Sequence, residues 1–287
     1  MPTMPHPLTS LNDREALAAR FRHDPELHLF ELGDLDDPFW QHTTWYSLTD
    51  GAEGADGAEG ADGAEGAEGA PDGPVALLYG VGELPTLLGL ARPDRDGRLA
   101  DLLRAMRPVL PERFLAHLTG SGAEALAPGY RVEHRTAMLR MALTDRDALD
   151  GAAGAWRVEP LGASDLADLL ALFAAGYPGN WFDERMLTTG PYVGVRDADG
   201  RLVAAAGVHV HSPAQRVAVV GNVTTHPEFR GRGLAAACTA HLCEVLSRTT
   251  DHIGLNVRAD HPTALSLYRR LGFTTVTALD ECVIAAV

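Results

Sequence analysis

The chain has 287 residues, 46% of them hydrophobic and 22% charged, and its 24 basic against 39 acidic residues give a formal charge of −15. That balance argues against nucleic acid or an anionic membrane as the main partner. No run of about 18 apolar residues offers a transmembrane helix, and the opening "MPTMPHPLTSLNDREALAARF" lacks the basic start and apolar core of a secretory signal.

The length favours two domains over one. "LNDREALAARF" and "PELHLFELGDL" read as helical, and "TTWYSLT", "PVALLYGV" and "LPTLLGLA" as strands. Between the first two strands lies "GAEGADGAEGADGAEGAEGAPDG", residues 51–73, with glycine at every third place. Collagen shares that period but also needs abundant proline, and here only Pro71 appears in the tract. Seven acids fall in the tract with no base, which leaves −8 on the rest of the chain. Such a composition cannot bury a core, so it is expected as a disordered acidic loop expanding a hairpin. About 20 flexible residues span roughly 25 Å, ample for adjacent strands. Deleting residues 54–68 is therefore expected to leave the melting temperature and any ligand affinity nearly unchanged, because loop length costs little entropy. A large fall in either would make the tract a working part.

The first half continues with helical "DGRLADLLRAMRP", strand "ERFLAHL", a short "SGAEALAPG" and strand "YRVEHRTAMLRMAL". The second half opens with strand "WRVEP", helix "GASDLADLLALFAAGY" with Ser164 as its N-cap, and a shorter helix "FDERMLTT". Strands "PYVGVRD", "RLVAAAGVHVH" and "QRVAVVGNVTT" follow, then the long helix "GLAAACTAHLCEVLSRTT". Strand "HIGLNV", helix "HPTALSLYRRLG" and closing strands "FTTVTAL" and "ECVIAAV" complete the chain. This order predicts an α/β fold with a central mixed sheet flanked by helices. "ARPDRDGRLADLL" at 91–103 echoes "THPEFRGRGLAAAC" at 225–238, one residue shorter and without a partner for Gly233. A tandem pair is the preferred reading, with domains at 1–148 and 154–287 and a first copy that has lost its site.

In "THPEFRGRGLAAA" a strand gives way to a helix through two glycines and two arginines. Free N–H groups at a helix start, uncovered by side chains, suit phosphate, and Arg230 and Arg232 add charged donors. A P-loop would need Gly-Lys-Ser/Thr, and the Rossmann turn a third glycine; neither is present. His209 and His211 alternate with valines and are expected on one strand face, as solvated or pocket-lining residues. Cys238, Cys243 and Cys282 fit no metal-ligand spacing, and Cys238 and Cys243 read as buried packing. The simple expectation is a reduced, cytoplasmic protein without metal.

Arg230, Gly233 and Ala235 form an Arg-x-x-Gly-x-Ala pattern, preceded by "VTTHPEF" and followed by "LNVRADHPTALSLYRRLGF". Over roughly 156–287 this resembles the GNAT superfamily of acyl-CoA-dependent N-acetyltransferases. The resemblance implies tandem GNAT-like domains, the second catalytic. It implies that Val223, Thr224 and Thr225 bind the pantetheine arm and that Arg230, Gly231, Arg232, Gly233, Leu234 and Ala235 hold the pyrophosphate of acetyl-CoA or another acyl-CoA. Asn256 would bind the pantetheine or orient the acyl group, and Tyr268 would protonate the departing thiolate. Spacing alone makes Tyr268 a core aromatic on one face with Ala264, Leu265 and Leu271. Many family members use a glutamate as base on the central strand. Here "VVGNVTT" has Gly221 and Asn222 and no carboxylate, leaving Asn222, His226 or a water as candidates. "GYPGNWFDERM" would shape the acceptor pocket. The expected activity is transfer of acetyl to a small-molecule or peptide amine by direct attack in a ternary complex. A non-catalytic acyl-CoA-binding regulator is the other reading. Small amine, aminoglycoside, amino acid, polyamine and protein N-terminus all stay open as acceptors.

Overall fold

The computed structural model describes residues 7–49, 73–152 and 154–287; the acidic tract expected as a loop at 51–73 lies, Gly73 apart, outside the described residues. The first half contains β1 (Leu8–Leu11), α1 (Arg14–Phe21), α2 (Leu29–Gly33), α3 (Asp37–Trp40), β2 (Thr43–Leu48), β3 (Ala76–Tyr79) and β4 (Thr86–Gly89). It continues through α4 (Asp96–Met106), β5 (Arg113–Leu118), α5 (Gly122–Ala125) and β6 (Tyr130–Leu143). The second half contains β7 (Glu159–Leu161), α6 (Leu166–Gly176), α7 (Met186–Thr189), β8 (Tyr192–Arg196), β9 (Leu202–Ser212) and β10 (Val217–Thr225). It ends with α8 (Leu234–Leu246), β11 (His252–Arg258), α9 (Pro262–Arg270) and β12 (Phe273–Ala286). The two closing strands expected from sequence are thus one strand of 14 residues.

The strands on either side of the acidic tract do pair as a hairpin, Thr43 opposite Tyr79 and Tyr46 opposite Ala76. Ser164 is not the cap of α6. Asp165 closes the preceding turn instead, accepting from the Gly162 N–H at 2.9 Å, while Ser164 reaches only Asp165 itself.

Two compact units are interleaved in the sequence. One holds Met1–His23, Asp37–Ala137 and Leu279–Val287; the other holds Asp24–Asp36 and Met138–Ala278. In the first, strand order is β1-β2-β3-β4-β5, closed by the end of β12, with Asp280 opposite Leu118. In the second it is β7-β8-β9-β10-β11, closed by the end of β6, with Gly254 opposite Ala142. Each has one parallel pair, β4 with β5 and β10 with β11, bridged by a helix. The echo between 91–103 and 225–238 is therefore a repeated β-α-β unit.

The two copies differ where it matters for ligands. β4 and β5 stay zipped to their ends, Gly89 opposite Leu118. Beyond them the Thr119 N–H donates to Gly89 O at 3.1 Å and the Ala91 N–H to Thr119 Oγ1 at 2.9 Å. At the start of α4 the Asp96 carboxylate accepts from the Ser121 N–H and hydroxyl at 3.0 and 2.9 Å. A carboxylate of the chain itself thus sits at the positive end of that helix.

In the second unit α8 and α9 bury Leu234, Cys238, Leu242, Leu265 and Tyr268 with Ala218, Val220, Ile253 and Leu255 of the sheet. A separate cluster joins Leu169, Leu172 and Phe173 of α6 to Met186, Tyr192 and Ala205. Pro262 opens α9 and Gly272 ends it with φ +85°, the usual asymmetry of helix ends.

Candidate active site

β10 and β11 pair in parallel only from Val217–His252 to Val220–Leu255. β10 then runs on to Thr225 and β11 to Arg258 without facing each other. Each stays fixed on its outer side: Thr224 and Thr225 remain opposite Ala205 and Ala204 of β9, and Asn256 to Arg258 remain opposite Arg140 to Met138 of β6. The result is a V in which Val223–Thr225 on one arm has no strand partner on its inner edge, with Thr225 O accepting from Arg230 Nε at 3.4 Å. Such edges suit an extended ligand with amides of its own. Thr224 Oγ1 and Thr225 Oγ1 are buried there without a partner.

The mouth of the V leads to the glycine turn. A short turn, Pro227–Phe229, follows β10, and Gly231 and Gly233 take φ +75° and +82°, which residues with a Cβ rarely adopt. Nothing lies within 4 Å of where a Cβ on either would stand, so both open directly to a ligand. The first backbone bond of α8 runs from Ala237 N–H to Gly233 O, which leaves the N–H groups of Leu234 and Ala235 without helical acceptors. The residues present therefore fit a pyrophosphate. The guanidinium groups brace the turn from outside: Arg230 donates to Gly176 O at 2.9 Å, and Arg232 donates to Glu228 O at 3.2 Å and stacks on Phe229. Trp156 Nε1 donates to Arg232 O at 3.0 Å, a contact that sequence reading had missed.

Asn256 and Tyr268 lie on β11 and α9, the elements that flank the V. Asn256 Oδ1 accepts from Arg140 Nε at 3.1 Å. Arg140 is fully buried (0% exposed); it also donates to Leu27 O and lies 4.0 Å from Glu31, itself 2% exposed. Burial pushes the Glu31 carboxyl up, but His28 and Arg140 outweigh it and hold Glu31 below the ordinary carboxylate range. Glu31 thus stabilises the fold above its unfolded pKa, a contribution lost as pH falls through the folded value. Arg140→Met is expected to cost about 3–5 kcal/mol in urea unfolding, because it strands the buried Glu31 charge. A cost below about 1 kcal/mol would show the pair to be dispensable. The sequence signal was a lone arginine in "AMLRMAL".

Tyr268 is 8% exposed and packs edge-on against Phe273, 5.9 Å between ring centres. Burial, with Tyr177 and Cys243 nearby, raises its phenol well above the ordinary value, so it stays protonated at neutral pH. Burial also pushes the Cys238 and Cys243 thiols up to about 12, which disfavours a thiolate nucleophile.

Both ring nitrogens of His226 are engaged. Its Nδ1 accepts from the Glu228 N–H at 3.3 Å, and Nε2 lies 2.5 Å from Arg201. Asn222, at φ +53°, is also engaged: Nδ2 donates to Tyr192 Oη at 2.9 Å, and Oδ1 accepts from Asn180 at 3.1 Å. The expectation that His209 and His211 share a face fails. The register of β9 against β10 slips by one residue at His209, since Val219 faces Val210 and Val220 faces Val208. That bulge resets the alternation. His209 turns to Trp181, 5.6 Å between ring centres, and His211 to Thr249. Asn180 and Trp181 of the "GYPGNWFDERM" segment thus stand against β9 and β10.

Residues 165–273 match the model of the Acetyltransferase (GNAT) family. Those residues form a GNAT-family domain. A putative acetyltransferase of the GNAT family from Novosphingobium aromaticivorans is 25% identical, with a TM-score of 0.53 over 74% of this chain and 88% of that one. A tandem GNAT protein from the clavulanic acid biosynthesis pathway shares the fold over 97% of this chain and 98% of its own, at 15% identity and a TM-score of 0.51. A mycothiol acetyltransferase of Tsukamurella paurometabola is 31% identical over 209 residues, 71% of this chain and 61% of that protein. One of Mycobacterium sp. (strain MCS) is 32% identical over 183 residues, 56% and 60% respectively. The chain thus spans about three fifths of the length of these curated relatives. No helix among the described residues is long and apolar enough to cross a membrane.

Proposed function

We propose that the chain is an acyl-CoA-dependent N-acyltransferase that moves acetyl from acetyl-CoA to an amine within a ternary complex. The observation that carries this reading is the V between β10 and β11, opening onto a glycine turn with uncovered N–H groups. The pantetheine arm lies along Val223–Thr225, and the pyrophosphate is held by backbone from Arg230 to Ala235. Asn256, held by Arg140, orients the acyl end. The amine attacks the thioester carbon, the C–N bond forms, the C–S bond breaks, and Tyr268 gives the thiolate its proton. Raised cysteine thiols favour this direct attack over an acyl-enzyme.

The acceptor is a small-molecule amine, and one of the mycothiol kind is the first to try, given the names of the relatives. A non-catalytic acyl-CoA-binding regulator is the second reading. It is favoured by the absence of a carboxylate at Gly221 and Asn222. Calorimetry with acetyl-CoA, then thiol release with a panel of amines, separates the two. Binding with amine-dependent release supports the transferase; binding without release from any amine supports the regulator; no binding removes both.

A further inference from the structure

Two opposed bulges meet at the base of the V. One places His209 as the extra residue of β9, between Val208 and Val210. The other lies on β10, where Gly221 faces Gly207 and the next paired residue is Thr224, with Asn222 at φ +53° between them. Bulges of this kind re-aim side chains. Here they turn His209 onto Gly221: a Cβ at Gly221 would run into the imidazole ring. The ring fills the space that a side chain on the central strand would have taken. Its Nε2 is buried and has no hydrogen-bond partner, although the residue as a whole is only part-buried and its ring meets Trp181, itself 63% exposed. An unpartnered buried nitrogen is costly to keep unless a ligand uses it.

We propose that His209 replaces the missing carboxylate and accepts the proton of the acceptor amine at Nε2. This inference rests on the transferase reading above and adds the group that reading lacks. The amine enters in its neutral form, and the neutral imidazole takes the one proton that its nitrogen sheds as it adds to the thioester carbon. The nitrogen lone pair forms the C–N bond, and the C–S electrons leave with sulfur, which Tyr268 protonates. One proton is gained by His209 and one lost by Tyr268, so return of the two groups to their starting states completes the cycle. Burial pushes the ring down to about 4, against an opposing pull from Asn222, so His209 is neutral at physiological pH and takes a proton only from a nitrogen made acidic by its addition to the carbonyl. Asn222 cannot do this, because an amide has no proton-accepting nitrogen and both ends of this one are bonded.

The test compares His209→Gln and His209→Ala with the unaltered full chain, using acetyl-CoA and the amine of the panel that gives the fastest thiol release. His209→Gln is expected to slow thiol release at saturating amine by about 10²-fold or more with unchanged acetyl-CoA affinity. No loss of rate, or an equal loss of acetyl-CoA affinity, overturns the proposal. His209→Ala is expected to be slowed likewise, and added imidazole to restore part of its rate, which a structural role would not allow; no restoration overturns the proposal. Failure of the transferase reading is seen separately, as an unaltered protein that releases no thiol with any amine of the panel, and it takes this inference with it.

Discussion

Gly233→Asp is expected to abolish acetyl-CoA binding, lowering affinity by more than about a hundredfold, or roughly 3 kcal/mol. Gly233 holds φ +82° at the start of α8, and open space lies where its Cβ would be. An aspartate there adds a negative charge at the place proposed for the pyrophosphate and covers the N–H groups of Leu234 and Ala235. Gly233→Ala separates the two effects. It carries only the left-handed strain, about 1–2 kcal/mol of stability, and is expected to keep most of the affinity. Calorimetry checks both variants beside a thermal melt. Unchanged binding by the aspartate variant would remove the central claim about the turn.

Tyr268→Phe is expected to lower kcat by about 10²-fold or more while acetyl-CoA affinity changes less than about twofold. The ring keeps its edge-on contact with Phe273, and only the hydroxyl is lost, so the melting temperature should move little. Because burial raises the phenol, the acid form persists through the alkaline range, and this group should cause no fall in kcat below about pH 10. Stopped-time thiol release across pH measures both points. Equal loss of turnover and affinity would return Tyr268 to a purely structural role, the reading that its place among Leu265 and Leu271 favours by spacing alone.

Much of the second half was legible because its elements are strongly patterned. β10 and α8 are apolar, and the Arg-x-x-Gly-x-Ala turn between them needs glycine at two left-handed positions, a local demand written in local residues. The repeat between 91–103 and 225–238 was visible for the same reason. What separates the copies was only half visible. The missing glycine could be read, but the zipped ends of β4 and β5 and the inward Asp96 could not, since they depend on contacts 29 and 25 residues apart.

Sequence by itself determined the mixed α/β class, the tandem repeat, the hairpin between Thr43 and Tyr79, the glycine turn and the position of Tyr268 on an inward helical face. These follow from periodicity and backbone chemistry within a few residues. Only the tertiary structure decided that Asp24–Asp36 joins the second unit, and so supplies Leu27 and Glu31 to Arg140 behind Asn256. It also decided the fate of the histidines. Alternation in "GVHVH" predicts one shared face, yet a single extra residue in β9 reverses that outcome, because side-chain direction in a strand has period two and any slip of register resets it. Register is a property of the pair of strands, and neither strand carries it alone.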